Sequence, residues 1–443
     1  MHHCIGIFFL LILLVTDLTA RFSNGCSEGC ICPDKDTVSA VLAAAVRIEA
    51  SQDLRAKDGG IKIATDQKED ERPLFGAVTF KARCNGTNWR QIPQNLPRSL
   101  RDLSITHCPL NELRDGAFYR YPQLERLILD HNQLSFINAH AFRGVQRLQL
   151  LSIQHNPSLT ALSKFSLSEV TDASRPAEIY LAHNNISRID GYAFFNNANI
   201  RKLDLRHNPL KTVRAHAFSG LYHVDFFLLP TGIERIEKDA FHNVSRVHFL
   251  QLKHWRADKA GGVSQRTFHG LRHVSTLAIR HSSLGVIHSH AFSGVHTIEH
   301  IRITDCQIER FKKRSLAGMR HVGNVLIASN RIGRLERHFF DHIKAQTVRF
   351  SENQLDCICK NLWLLKPHYN TPTDFLRYNY CSQPAQMENR ALQDIDHGYL
   401  RDCKRKLSED DYADEGESVG TTCLPTLTCF WLLGASLTHL LLS

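Results

Sequence analysis

The chain repeats itself about every 24 residues, and that beat constrains its fold more than any other feature. One copy runs Leu124, Leu127, Leu129, Asn132, Leu134, Ile137, Ala141, Phe142, and another Ile200, Leu203, Leu205, Asn208, Leu210, Val213, Ala217, Phe218. A fixed period of this length means a solenoid, in which each repeat buries its apolar face only against its neighbours. The third apolar position marks the register. The marks fall at Ile105, Leu129, Ile153, Leu181, Leu205, Leu228, Leu252, Ile279, Ile303, Ile327 and Phe350, which gives eleven repeats. Most steps are 23 or 24 residues, but Ile153 to Leu181 takes 28 and Leu252 to Ile279 takes 27. Strand spacing is set by hydrogen bonding, so the extra residues are expected in surface loops.

Within each copy the L-x-L core alternates with period two, as a short strand does. Side by side, such strands predict a parallel sheet on the inner face of a curved body. Asn132, Asn156, Asn184, Asn208, Asn330 and Asn353 share one slot after the strand. An Asn side chain there can bond backbone groups of the turn that would otherwise be buried and unpaired. Cys108 and Cys306 take the same slot and read as buried thiols, while Thr231, Trp255 and Ser282 depart from it. The Phe near the end of each copy is expected to build a spine.

From about residue 100 to 355 this pattern resembles the extracellular leucine-rich-repeat family, in its 24-residue class. The resemblance implies an α/β fold: a leucine-rich-repeat solenoid, coiled as a curved right-handed superhelix, with the parallel sheet on its concave face and a disulfide cap at each end.

Of thirteen cysteines, Cys26, Cys30, Cys32 and Cys84 precede the array, and Cys357, Cys359, Cys381 and Cys403 follow it. Each set of four reads as two disulfides, with three connectivities open per set, or less readily as a zinc site. The resemblance to cysteine-rich caps implies Cys26–Cys32 and Cys30–Cys84, then Cys357–Cys381 and Cys359–Cys403. Caps have a physical reason, because the end repeats expose an apolar cross-section. The N-terminal set departs from the family, with 51 residues between Cys32 and Cys84, and the stretch 35–74 reads as a poorly ordered insertion.

The flanks speak of secretion. Residues 1–20 carry a short apolar run ending Leu18-Thr19-Ala20, as a signal peptide does. Sequons stand at Asn85, Asn185 and Asn243. The cap regions then span 21–99 and 356–403. An acidic stalk at 404–418 leads to small residues and an apolar run at 419–443. That order suits a glycosylphosphatidylinositol signal with Ser418 as the attachment residue, and hence a cell-surface protein held by a lipid anchor. Secretion without the anchor is the alternative.

The residues beside the strand leucines face outward from the sheet. Arg206, Phe227, Leu229, Lys253, Arg280 and Arg302 are placed there, an apolar pair flanked by cations. In this family such positions meet ligands, so the expected partner is an extracellular protein, a ligand or co-receptor. Formal charge is +10, and +17 once the six acids of the stalk and Asp17 are set aside, so acidic glycans such as heparan sulfate are a second candidate. Nucleic acid does not suit a surface protein. Seven repeats carry His before the slot: His107, His131, His155, His183, His207, His254 and His281. An imidazole ladder could bind metal or sense pH, against the simpler reading of a favoured polar residue. No nucleophile elbow, zinc-protease helix or phosphate loop is present, so neither an enzyme nor a cofactor is expected.

Overall fold

The computed structural model describes residues 30–31, 81–85 and most of 89–399. The chain separates into two units, Met1–Ile395 and Asp396–Ser443. The second lies almost wholly outside the described residues, and with it Cys403 and Ser418. Cys26, Cys32, the leader and the insertion at 35–74 lie outside them too.

The first unit is a parallel-sheet solenoid. Thirteen strands form one sheet in chain order. Cys30–Ile31 pairs antiparallel with Lys81–Asn85, and Lys81–Asn85 then pairs parallel with Asp102–Thr106, the first repeat strand. Parallel pairing continues to Ala345–Ser351. Ten of the eleven register marks are buried and stand opposite one another as the period requires. The eleventh is corrected. Asp204 pairs with Leu228, so Leu229, not Leu228, continues the line from Leu205. The strand His223–Leu228 and the Leu229 that follows it hold two apolar doublets, Phe226-Phe227 and Leu228-Leu229, and a one-residue slip in a strand sends every side chain to the opposite face.

The slot residues do what their chemistry allows. Asn132 accepts from the Cys108 N–H (2.8 Å) and donates to the Ile105 carbonyl (2.8 Å). Asn156, Asn184, Asn208, Asn330 and Asn353 repeat the pattern, and Asn379 of the C-terminal cap extends it by accepting from the Asn353 N–H at 3.1 Å. Cys108 and Cys306 remain buried thiols, and burial pushes the Cys306 thiol up to about 12. Behind the sheet the phenylalanines stack. Phe118 meets Phe142, and Phe194, Phe218, Phe241, Phe268 and Phe292 follow in line, with centroids 5.0 to 6.4 Å apart.

The two long steps are handled differently. The extra residues before Ala177–Tyr180 are exposed, as expected. Those after Leu252 form a 3-10 turn, Ala257–Ala260, whose Ala257 is buried. There Trp255 also turns inward, edge-on to Phe268 at 6.2 Å, so this insertion feeds the core as well as the surface.

Disulfide-bonded cysteines stand at both ends of the array. Cys357–Cys381 is a disulfide, which sets aside zinc for that set, and Cys359 is disulfide-bonded. At the other end Cys84 is disulfide-bonded, and the backbone register places it opposite Cys30.

Candidate functional site

Three rows of side chains stand on the exposed face of the long sheet. Strand pairing fixes their neighbours: Phe226 beside Phe249, Leu228 beside Gln251, and Lys253 beside Arg280. Arg302 follows Ala278 on the next strand. Arg206, Lys253, Arg280 and Arg302 are exposed there, as the pattern predicts. Phe227 and Leu229 are not. Phe227 is 0% exposed and Leu229 5%, and Phe227 sits edge-on to Phe218 inside the core. The register slip explains the error, and the apolar members of this face are instead Phe226 and Leu228. Phe226 is 46% exposed and lies 6.3 Å from the Phe249 ring. The step lengths could not have found them, since a mark at Leu229 makes the steps 24 and 23 instead of 23 and 24, and only strand pairing chooses between the two.

The N-terminal side of this patch is an electrostatic cluster. Arg206 grips Asp204 with two parallel bonds, 2.9 and 2.7 Å, and Lys202 lies 3.7 Å from the same carboxylate. Burial pushes the Asp204 carboxyl upward, but the bonds from Arg206 and the charge of Lys202 outweigh it and hold it below the ordinary range. Lys202 also sits over the Tyr180 ring at 4.7 Å, and Tyr180 donates to Glu178 at 2.9 Å. Arg206 is therefore half committed to its own chain, whereas Lys253, Arg280 and Arg302 form no ion pair among the described residues.

At the rim of the same sheet stands the histidine ladder. His107, His131, His155, His183 and His207 stack face to face, with centroids 4.9, 4.4, 4.7 and 4.2 Å apart and planes within 12° of parallel. The backbone explains the column. Each of the five has a φ of 55–58°, in the left-handed region, where His is one of the few tolerated side chains. Strands repeat about every 4.8 Å, so identical conformations superimpose identical rings. His254 and His281 form a separate, looser pair at 5.8 Å. Further on the same position holds Asp305, Ser329 and Glu352, also at positive φ. Burial lowers the His183 pKa, and the charges of His207 and His155 lower it further. Parallel rings aim their nitrogens side by side and not at a common point. Among the described residues no group of His, Cys, Asp or Glu is placed to hold a metal ion.

Of the sequons, Asn85 and Asn185 are exposed and Asn243 is half-buried. No helix among the described residues is long and apolar enough to cross a membrane.

Two repeat models match different parts of the array. The leucine rich repeat model matches residues 98–157 and 177–230, and the BspA type leucine rich repeat region matches 258–362. Human Podocan-like protein 1 is 30% identical over 193 residues, covering 38% of this chain and 37% of that one. Trophoblast glycoprotein of Macaca fascicularis is 24% identical over 247 residues, covering 53% and 55%. This chain thus spans about a third of the first and about half of the second. A solved octameric complex of Latrophilin 3, Unc5D and FLRT2 aligns at 16% identity and a TM-score of 0.44, covering 70% of this chain and 94% of the matched one. Matched by leucine-rich-repeat models on both sides of its irregular middle repeat, the chain is a leucine-rich-repeat protein, similar to extracellular proteins that carry the same repeats.

Proposed function

We propose that this chain is a cell-surface recognition protein, serving adhesion or acting as a co-receptor, and that it binds a protein partner through the exposed face of the long sheet. One observation carries the reading: Phe226, Leu228 and Phe249 form an apolar strip, with Arg206 on one side and Lys253, Arg280 and Arg302 on the other. Aromatic and Arg side chains around a central apolar patch are what protein interfaces concentrate. The test is a screen of the soluble ectodomain against surface receptors, repeated with Phe226→Asp. Partners should be lost with that variant, and hits that bind it equally well refute the face.

Attachment at Ser418 is part of the same proposal and rests on residues 404–443 alone. Phosphatidylinositol-specific phospholipase should release the protein from cells, and retention refutes the lipid anchor. The alternative is a secreted or matrix protein that holds an acidic glycan on Lys253, Arg280 and the neighbouring Arg302. It predicts neutral-pH heparin retention that falls with Arg280→Glu and Arg302→Glu.

A further inference from the structure

The function proposed above leaves the imidazole column unused. We propose that His107, His131, His155, His183 and His207 form a proton-gated strip for a linear sulfated polysaccharide, bound in mildly acidic surroundings and released near neutrality.

The argument begins with spacing. Neutral rings 4.2 to 4.9 Å apart stack without penalty, but protonated ones repel. Two unit charges about 4 Å apart cost roughly 1 kcal/mol even in bulk water. Charging adjacent rings is therefore opposed, and His183, in the interior of the column, is held low by burial and then by the charges of His207 and His155. Anions laid along the column cancel the repulsion, so ligand binding and proton uptake promote each other.

The surroundings leave the column free to act. On the strand side the charged neighbours are Asp130, Asp204, Arg206 and Lys202. Asp130 already accepts from the Ser152 hydroxyl (2.8 Å) and the Gln154 N–H (2.7 Å), and Asp204 is taken by Arg206 and Lys202. On the loop side the next residues are Pro109, Gln133, Pro157, Asn185 and Pro209, none of them charged. All five histidines are exposed. The two carboxylates and the two cations among these neighbours sum to zero charge, so the anions that neutralise a protonated column come from a ligand.

Geometry selects the ligand class. The column runs in single file across the strands, one ring per repeat. An extended peptide presents same-face side chains about 6.6 Å apart, out of step with 4.2 to 4.9 Å. A sugar chain that carries anionic groups on successive rings advances in shorter steps and lies straight along such a line. Sulfate stays ionised throughout the range in which imidazole titrates, so the gate belongs to the protein alone.

The test uses the intact chain and heparin as the probe, with affinity measured from about pH 7.5 to about pH 5.5 around the ordinary imidazole value. Affinity should rise on acidification, by about tenfold per pH unit for each proton taken up on binding. The triple variant His131→Asn, His155→Asn, His183→Asn keeps a residue that accepts positive φ and creates no new sequon. It should lose the acid gain while keeping its melting temperature. Single His155→Asn, which splits the column, should lose part of it. Arg280→Glu with Arg302→Glu should weaken binding at neutral pH and leave the acid gain intact, which separates this strip from the sheet face. An undiminished acid gain in the triple variant overturns the proposal. So does equal acid-gained binding of desulfated heparin, or stronger binding of an acidic peptide or a DNA duplex of matched charge.

Discussion

The repeats before residue 230 and those after 280 have the same period and the same inward leucines, yet they are held differently. In the first group the segment after the slot forms only two-residue strand pairs, such as Glu112–Leu113 with Phe136–Ile137. In the second it forms a five-stranded second sheet from Ser283–Ile287 through Gln307–Phe311, Arg331–Leu335 and Gln354–Asp356 to Tyr380–Gln383. The difference lies in one residue per repeat. Three of these second-sheet strands open on Gln307, Arg331 and Gln354, whose N–H groups donate to the Ser282, Cys306 and Asn330 carbonyls. The first group has Pro109, Gln133, Pro157, Asn185 and Pro209 there. Every neighbouring pair then contains a proline without an N–H, and the ladder is confined to the two-residue pairs further along. The lesson is that the slot asparagine does not choose between the two arrangements, because Asn330 and Asn353 serve the second as well as Asn156 serves the first.

If the core is common to both groups, removing a spine ring should cost the same in each. Phe218→Ala and Phe292→Ala each delete a fully buried ring and should cost about 3–5 kcal/mol in a urea titration. A much smaller loss at one site would show that its group packs more loosely. The slot comes next. Asn156→Ala strands the Leu129 and Gln154 carbonyls, which it serves at 3.2 and 2.9 Å, and should cost about 2–3 kcal/mol. Ser282→Ala removes a shorter side chain that accepts from Trp255 at 3.0 Å, and about 1 kcal/mol is expected. Equal losses at the two sites would deny the asparagine its extra bond.

Much of this contrast is legible in the amino-acid order itself. The period dictates the strands, the slot and the spine, because each repeat must satisfy the same burial and the same turn. The alternation of proline with non-proline after the slot is equally visible, though its consequence depends on those residues lying side by side. Two things are hidden. Leu228 and Leu229 are both apolar, so periodicity does not decide which faces inward, and it puts Phe227 on the wrong side of the sheet. The histidine column is visible as a recurrence, but its cause is a positive φ that composition does not announce.

The proline rule can be broken in both directions. Arg331→Pro deletes a donor that reaches the Cys306 carbonyl at 2.9 Å and should cost about 1–3 kcal/mol, read as a lower urea midpoint and faster amide exchange across Gln307–Phe311. Pro157→Ala frees the pairs with Gln133 and Asn185 of proline, so it should gain protected amides around Asn185 while changing stability by less than about 1 kcal/mol. No gain in protection would mean that proline is not what keeps the second sheet out of that half.

The smallest effect separates the halves by acid. His183 has a lowered pKa, so the folded chain holds that proton less readily than the unfolded one does. Its neutral ring therefore favours the fold above the unfolded value of about 6.5, and that support is lost as pH falls below it. Solvent screens an exposed ring, so the loss is about 0.5 kcal/mol at most. Asp204 acts in the same half but in a lower window. Its carboxyl is held down against its burial by Arg206, so its contribution is complete above the unfolded value of about 3.9 and disappears only below it. The second half has Asp305, Ser329 and Glu352 at the rim in place of the column and lacks the first loss. Amide exchange corrected for intrinsic rates should show protection falling between about pH 7 and 5.5 around Leu181–Leu205 and holding around Ile303–Ile327. An equal fall in both halves would mean that the stacked imidazoles add nothing of their own to the acid response, and that the two groups of repeats differ in hydrogen bonding alone.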